Sequence, residues 1–305
     1  MERIGVTTAR DFTDLDGLAC AIAYTELLKL EGRDAETIVP EEINASVTKE
    51  IKGWGLEYKK QPSPETHTFC IVDVSRPQFI PDFAINNAIE IYDHHEGSEN
   101  FWLQRLGNRA KIEKVGAAAT LIWEEFKKRK KEKQISQTSA KLLYGAIISN
   151  TLNFNSKMTS ERDLKASEEL SKFTDLPKDW VKKYFSDIEK YTQKNPREAI
   201  INDVKKGYFD ELGKNISIGQ LELWDSKKFV LKNKKLIGEV MKSFGSRFWF
   251  FNAPSISEGK SYVVTKNKYI KDLLLKEFGI EFTNGVGKTN HLIERKEYVT
   301  KFMNL

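Results

Sequence analysis

Apolar and polar positions alternate on two different periods along the first 191 residues, and the alternation predicts strands interleaved with helices. Residues 4–8 read as a first strand, and 18–30 as a helix that Gly32 stops. A second strand is predicted over 36–39 and a helix over 46–54, closed by Gly53 and Gly55. Residues 68–73 form a nearly unbroken apolar run ending in Asp73, the pattern of a strand buried on both faces. A short helical crossover over 79–83 leads into Ile89-Glu90-Ile91-Tyr92, an alternating strand that ends in Asp93, His94 and His95. Further helices are predicted over 116–128, 139–149, 160–171 with Thr159 or Ser160 as cap, and 180–191. Strands that alternate with helices predict βαβ units and a parallel sheet.

At Thr192-Gln193-Lys194-Asn195-Pro196-Arg197 the pattern gives way to polar residues and a proline, the best candidate for a linker. Beyond it, strands are predicted at 200–201, 216–223, 248–251 and 262–264, with helices over 231–244 and 269–278. The expected organisation is α/β: a parallel-sheet domain with flanking helices over 1–191, a linker at 192–198, and a smaller mixed α/β domain over 199–305. The aromatics around Trp249 are consecutive rather than spaced along one face, which suits a core better than a base-stacking platform. Gly285-Val286-Gly287-Lys288-Thr289 has the end of a phosphate-loop motif, but Phe282 stands where the first glycine is required. No internal repeat is visible.

A chain of 305 residues suits two domains. A net charge of +5 is too small to argue for nucleic acid. The densest basic run, 127–131, follows an apolar helix and reads as its solvated end. Cys20 and Cys70 lie in apolar surroundings, as buried thiols in a reducing compartment would. No apolar segment approaches membrane-spanning length, so a cytoplasmic location without membrane association is expected.

The carboxyl ends of strands are where ligands bind in open α/β sheets. Here those ends carry Asp14 and Asp16 after the first strand, Asp73 after the third, and His94 and His95 after the next. Helix capping accounts for one or two of the acids Asp11, Asp14 and Asp16 more easily than for all three. Adjacent histidines point opposite ways, so one can hold a metal while the other faces a second ligand. Asp93 can accept the ring N–H of a metal-bound histidine. Carboxylates with imidazole suit Mn²⁺, Mg²⁺ or Zn²⁺. Two such ions about 3.5–4 Å apart could clamp a phosphoryl group and activate a water. A basic second domain could then supply Lys and Arg to the anion.

Asp14-Leu15-Asp16, Asp73, Asp93-His94-His95 and Ser149-Asn150-Thr151, in that order, resemble the four motifs of the DHH phosphoesterase superfamily. Within it, the chain is most similar to the family II, manganese-dependent inorganic pyrophosphatases and their exopolyphosphatase relatives. The similarity continues through 146–156 to Thr159, Asp163 and Ala166. Asp203-Val204-Lys205, Ile218-Gly219-Gln220 and Glu294-Arg295-Lys296-Glu297 resemble the DHH-associated C-terminal domain of the pyrophosphatase type. The GGGH segment of other DHH enzymes is absent. The resemblance implies Asp14, Asp16, Asp73 and His94 as metal ligands, with Asp73 bridging and Asn150 at the fourth-motif position. It implies His95, Lys205, Arg295 and Lys296 at the phosphates, and Asp93 orienting a histidine. Asp73, His95 and Asp93 would carry catalysis, with one or two ions of Mn²⁺, Mg²⁺ or Co²⁺, a small phosphate-containing substrate, and a homodimer through an edge strand.

Two positions depart from the family pattern. Arg10 replaces the metal-binding histidine of the first motif, and Asn150 replaces the aspartate of the fourth. A guanidinium stays protonated and does not coordinate metals, though Arg10 could pair with a carboxylate or meet phosphate, with Asp11 as a substitute ligand. An amide oxygen binds more weakly than a carboxylate. One metal site, or weakened Mg²⁺-type occupancy, follows more naturally than a tight two-manganese centre. The leading expectation is a metal-dependent hydrolase of pyrophosphate or short polyphosphate acting through a metal-activated water. The alternatives are a phosphodiesterase on short oligonucleotides or cyclic dinucleotides, and a catalytically degenerate phosphate- or nucleotide-binding protein.

Overall fold

β1 (Arg3–Thr7) pairs in parallel with β2 (Ala35–Ile38) on one side and with β3 (Thr66–Val72) on the other, which is why almost every residue in it is buried. β4 (Ala88–Asp93) and β5 (Ala110–Ile112) extend the sheet, all strands parallel, in the order β2-β1-β3-β4-β5. The computed structural model describes residues 3–305, which divide by internal packing into a first unit ending at residue 180 and a second over 181–305.

In the first unit α1 (Leu15–Leu30) starts earlier than its periodicity predicts, because Asp14 is the N-cap and its Oδ1 accepts the Gly17 N–H at 3.0 Å. The helix predicted over 46–54 contracts to a single turn, α2 (Lys49–Lys52), capped by Thr48 and closed by Gly53. The Ser46 hydroxyl is committed elsewhere, accepting the Leu15 N–H and donating to Asn44, so the chain there stays a loop. α3 (Asp82–Ile85) and α4 (Glu99–Leu106) cover one sheet face, where Ile38, Phe69, Ile71, Ile91 and Trp102 share a core. α5 (Ala118–Lys128), α6 (Gln137–Asn150) and α7 (Glu161–Ser171) complete the unit, α7 opening with a capping box between Ser160 and Asp163. Three residues of the basic run are held: Lys127 pairs with Glu169, Lys128 with Glu125, and Arg129 with Glu31 and Glu125. Both cysteines are buried free thiols.

The stretch expected as a linker is helical. α8 (Trp180–Lys194) runs into it, and Pro196 starts α9 (Pro196–Asn202) at the first helical position, where its missing N–H and fixed φ suit a helix. Residues 200–201 therefore lie in a helix and not in a strand, with Ile200 buried. The second sheet contains β6 (Val204–Phe209), β7 (Lys214–Gln220), β8 (Phe248–Ser255), β9 (Lys260–Val264), β10 (Glu281–Thr283) and β11 (Val286–Lys288), in the order β10-β11-β9-β8-β7-β6. Only β7 and β8 pair in parallel; the other pairs are antiparallel.

α10 (Ser226–Ser243) covers one face of this sheet, over Trp249 and Phe251, while α11 (Lys268–Phe278) and α12 (Arg295–Phe302) cover the other, over Phe250. That two-sided burial explains the consecutive aromatics at 248–251: a strand alternates its side chains, and both faces here are core. The apparent phosphate loop is a hairpin. Asn284 and Gly285, at φ 51° and 74°, form the two-residue turn between β10 and β11. Among the described residues no helix is long and apolar enough to cross a membrane.

Candidate metal centre

With strand order β2-β1-β3-β4-β5, the connections reverse direction between β1 and β3. Ligand crevices form at such a point. The loop after β1, the residue after β3 and the two residues after β4 leave three adjacent strands side by side. Asp73 turns off β3 with φ 58°, a conformation that costs a non-glycine residue about 1 kcal/mol or more and that aims its carboxylate at the sheet end. The first turn of α1 reaches it only because residue 17 is glycine. A Cβ there would lie 2.5 Å from Thr8 Oγ1 and 3.3 Å from Asp73 Oδ2.

Asp73, His94 and His95 each offer a ligand atom within 4.8 Å of the others. His94 Nδ1 lies 3.1 Å from the Val115 carbonyl, to which it can only donate, so in the neutral ring Nε2 carries the lone pair. That Nε2 faces Asp73 Oδ1 at 3.5 Å and Asp16 Oδ2 at 3.9 Å. Neither His94 Nε2 nor Asp73 Oδ1 has a hydrogen-bond partner in the protein, although both are buried. Buried polar atoms are nearly always satisfied. Two that converge on one point, in an oxygen and nitrogen donor set, fit a divalent cation.

The electrostatics agree. Burial, with Asp16 and Asp14 close by, drives Asp73 well above the usual carboxylate range. Burial also raises Asp16 to about 6, with Asp14 adding to the rise and His94 opposing it. Crowded buried carboxylates hold protons unless a cation neutralises them.

The other residues singled out in the sequence divide. Asp14 stands beside the cluster as the cap of α1. Asp16 is fully buried; Oδ2 accepts from the Ala118 N–H at 2.8 Å and from Asn150 Nδ2 at 2.7 Å, and Oδ1 from the Ala119 N–H at 2.9 Å and Cys20 Sγ at 3.4 Å. Arg10 stays at the surface, its guanidinium 3.3 Å from Asp82 and 3.7 Å from Asp11. Asp11 is thus an ion-pair partner of Arg10. Asp93 orients His95, not His94: its Oδ1 lies 2.8 Å from His95 Nδ1 and also accepts the His94 backbone N–H at 2.8 Å. Burial alone would raise Asp93, but the hydrogen bond and charge of His95 outweigh it and hold Asp93 below its ordinary range. The same hydrogen bond pushes His95 up. A cavity of about 380 Å³ opens beside Asp73 and His95, with Ser75, Arg76, Phe12 and Phe79 on its walls.

In the second unit Lys205, Arg295 and Lys296 line a separate groove of about 580 Å³ with Lys206 and Gln220. The Arg295 guanidinium donates to the backbone carbonyl and carboxylate of Asp203, while Lys205 is exposed.

Three groups that matter to the site escape a reading of the chain. The Val115 carbonyl and the Ala118 and Ala119 N–H groups are backbone, with no residue-type signature. Asp163 is fully buried, accepting from the Gly116 N–H, Thr120 and Ser160, and so anchors the segment that supplies those groups. In the sequence Asp163 is marked by the family similarity that reaches it and by the Ser160/Asp163 spacing of a capping box, but its contacts with Gly116 and Thr120 are not.

Residues 6–147 match the DHH family, N-terminal domain. The chain is 26% identical over 297 residues to a Bacillus licheniformis protein named probable manganese-dependent inorganic pyrophosphatase, covering 94% of this chain and 93% of that one. A Lactobacillus acidophilus protein of the same name is 28% identical over 295 residues, covering 94% and 93%. One from Bacillus velezensis is 30% identical over 234 residues, covering 73% and 65%. Among solved structures, a Methanococcus jannaschii protein assigned by name to the family II inorganic pyrophosphatases superposes with a TM-score of 0.64 at 21% identity, covering 98% of both chains. An exopolyphosphatase-related protein from Bacteroides fragilis gives 0.54 at 14% identity, covering 99% of this chain and 91% of that one. Matched domain, shared fold and converging strand ends lead to one conclusion: residues 6–147 match the DHH family, N-terminal domain, and the chain is similar along nearly its whole length to proteins named probable manganese-dependent inorganic pyrophosphatase.

Proposed function

We propose that this protein hydrolyses phosphoanhydride bonds, in pyrophosphate or short polyphosphate, with a divalent cation held by Asp73 and His94 and with Asp14 beside them. The observation that carries the reading is the pair of buried, unpartnered atoms, Asp73 Oδ1 and His94 Nε2, 3.5 Å apart at the switch point of the sheet. The likeness to manganese-dependent pyrophosphatases supports it.

A bound cation there would supply Lewis acidity toward a phosphoryl oxygen and lower the pKa of a coordinated water. The protein's own residues do the rest. The Val115 carbonyl holds the His94 ring in the tautomer whose Nε2 accepts. Asp93 accepts from His95 Nδ1–H and favours the protonated ring, in which the opposite nitrogen can donate to a phosphoryl oxygen. Lys205, Arg295 and Lys296 bind phosphate oxygens, Arg295 with its guanidinium oriented by Asp203. Phe12 and Phe79 stand as apolar walls beside the cluster.

Phosphate release from pyrophosphate, tripolyphosphate and longer chains, assayed with Mn²⁺, Mg²⁺ and Co²⁺, tests the reading. Metal-dependent turnover that Asp73→Ala abolishes is expected. Turnover that survives this substitution, or none with any of the three metals, refutes it. A second reading, binding of a phosphate compound without hydrolysis, is favoured by Arg10, which is committed to Asp82 and Asp11, and by Asn150, which donates to Asp16. Calorimetric binding of pyrophosphate with no phosphate release is its expected mark.

A further inference from the structure

We infer that the centre is built for one divalent cation, because the protein's own hydrogen-bond donors close the coordination sites that a second would need. A carboxylate has two oxygens with about four lone-pair directions between them. At Asp16 all four are used: Oδ2 by Ala118 N–H and Asn150 Nδ2–H, Oδ1 by Ala119 N–H and Cys20 Sγ–H. Three of these partners are good donors at 2.7–2.9 Å, and two of them are the free N–H groups at the start of α5, whose cap residue Ala117 has no side chain to bind them. Coordination by Asp16 would strip donors from a fully buried carboxylate and orphan the α5 N-terminus.

Asn150 makes the arrangement self-consistent. An aspartate at that position would set carboxylate oxygen against carboxylate oxygen at 2.7 Å and demand a cation between them; the amide instead supplies a proton. With no cation between them, nitrogen rather than oxygen must face Asp16, since the flipped amide would set oxygen against oxygen. Arg10 closes the other route. Its guanidinium cannot coordinate, and it is turned to Asp82 and Asp11. Among the described residues, the group left for a cation is Asp73 Oδ1 converging with His94 Nε2, with His95 nearby and Asp14 beside them.

The inference rests on the metal-dependent reading above, but its test does not require turnover. The wild-type protein, stripped with chelator, is titrated with Mn²⁺ by calorimetry, and the bound ion is followed by electron paramagnetic resonance. One ion per chain with an uncoupled six-line Mn²⁺ spectrum is expected. Arg10→His/Asn150→Asp should raise the count from one to two and produce a spin-coupled spectrum. Two ions of comparable affinity in the wild type overturn the inference while leaving the hydrolase reading intact; no ion overturns both. A double variant that still binds one ion also counts against it, since Arg10 and Asn150 would then not be what limits the count. Should the double variant fail to fold, the wild-type stoichiometry decides the question by itself.

Discussion

At His95 the ring is more than half exposed, yet Nδ1 lies 2.8 Å from Asp93 Oδ1, whose carboxylate is fully buried. The two shifts are mutual: the hydrogen bond raises His95 above its ordinary value of 6.5 and helps to hold Asp93 below 3.8. The sign follows for each. His95, raised in the fold, contributes stability fully present below pH 6.5 and lost as pH rises through its folded value. Asp93, depressed, contributes stability present above 3.8 and lost as pH falls through its folded value. In the metal-free protein, NMR titration should therefore find His95 above 6.5, and Asp93→Asn should bring it back toward 6.5. A wild-type value at or below 6.5 would show that the contact does not persist in solution. Adjacent to this pair, Asp73 combines a strained backbone with a carboxylate oxygen that nothing in the protein satisfies. Strain and an orphaned polar atom at one residue are marks of a site kept for a ligand rather than for stability.

Among the elements, α5 depends on a distant part of the chain. Its N-cap residue is Ala117, and the carboxylate that serves its first N–H groups comes from Asp16 on α1. Asp16→Ala should destabilise the protein by about 2 kcal/mol, since it removes the helix cap and leaves buried donors unpaired. Urea unfolding measures this. If Asp16 is chiefly this cap, the same variant keeps Mn²⁺ affinity within a few fold, and a large loss of affinity without loss of stability would reverse the assignment. Elements also mark where periodicity runs out. Pro196 looks like a break because proline ends helices from within, but at the first helical position it starts one, and only the turn before it distinguishes the two. β6 is missed for a related reason. As the edge strand of its sheet it carries two adjacent exposed lysines, Lys205 and Lys206, and then Gly207, and a half-solvated edge gives little apolar periodicity.

For the molecule as a whole, the two units differ in the charge they present. The first gathers Asp14, Asp16 and Asp73 at one sheet end; the second presents Lys205, Lys206 and Lys296 on the wall of its groove, with Arg295 tied to Asp203. Lys205→Ala and Lys296→Ala should each raise KM for pyrophosphate by about tenfold, the order expected for loss of one charge-assisted contact, with Mn²⁺ affinity unchanged. Unaltered steady-state kinetics in both variants would remove the second unit's lysines from the account of substrate binding.

The acids and histidines of the candidate centre are legible in the chain because strand periodicity is local and each cluster ends a run: Asp73 closes an apolar stretch, and His94 and His95 follow an alternating one. The two altered motif positions, Arg10 and Asn150, are legible for the same reason. What these residues do with their lone pairs is not local. Asp16 meets Ala118, Ala119 and Asn150 across 102, 103 and 134 positions of chain, His94 takes a backbone carbonyl 21 positions away, and Asp93 serves the second histidine rather than the first. Backbone donors and acceptors carry no residue-type signature, and a carboxylate can cap a helix, bind a cation or hold a proton with the same atoms. Residue order alone determined which groups gather at the sheet end; only the folded chain, by deciding which donors reach each oxygen, determined which of them are left to bind.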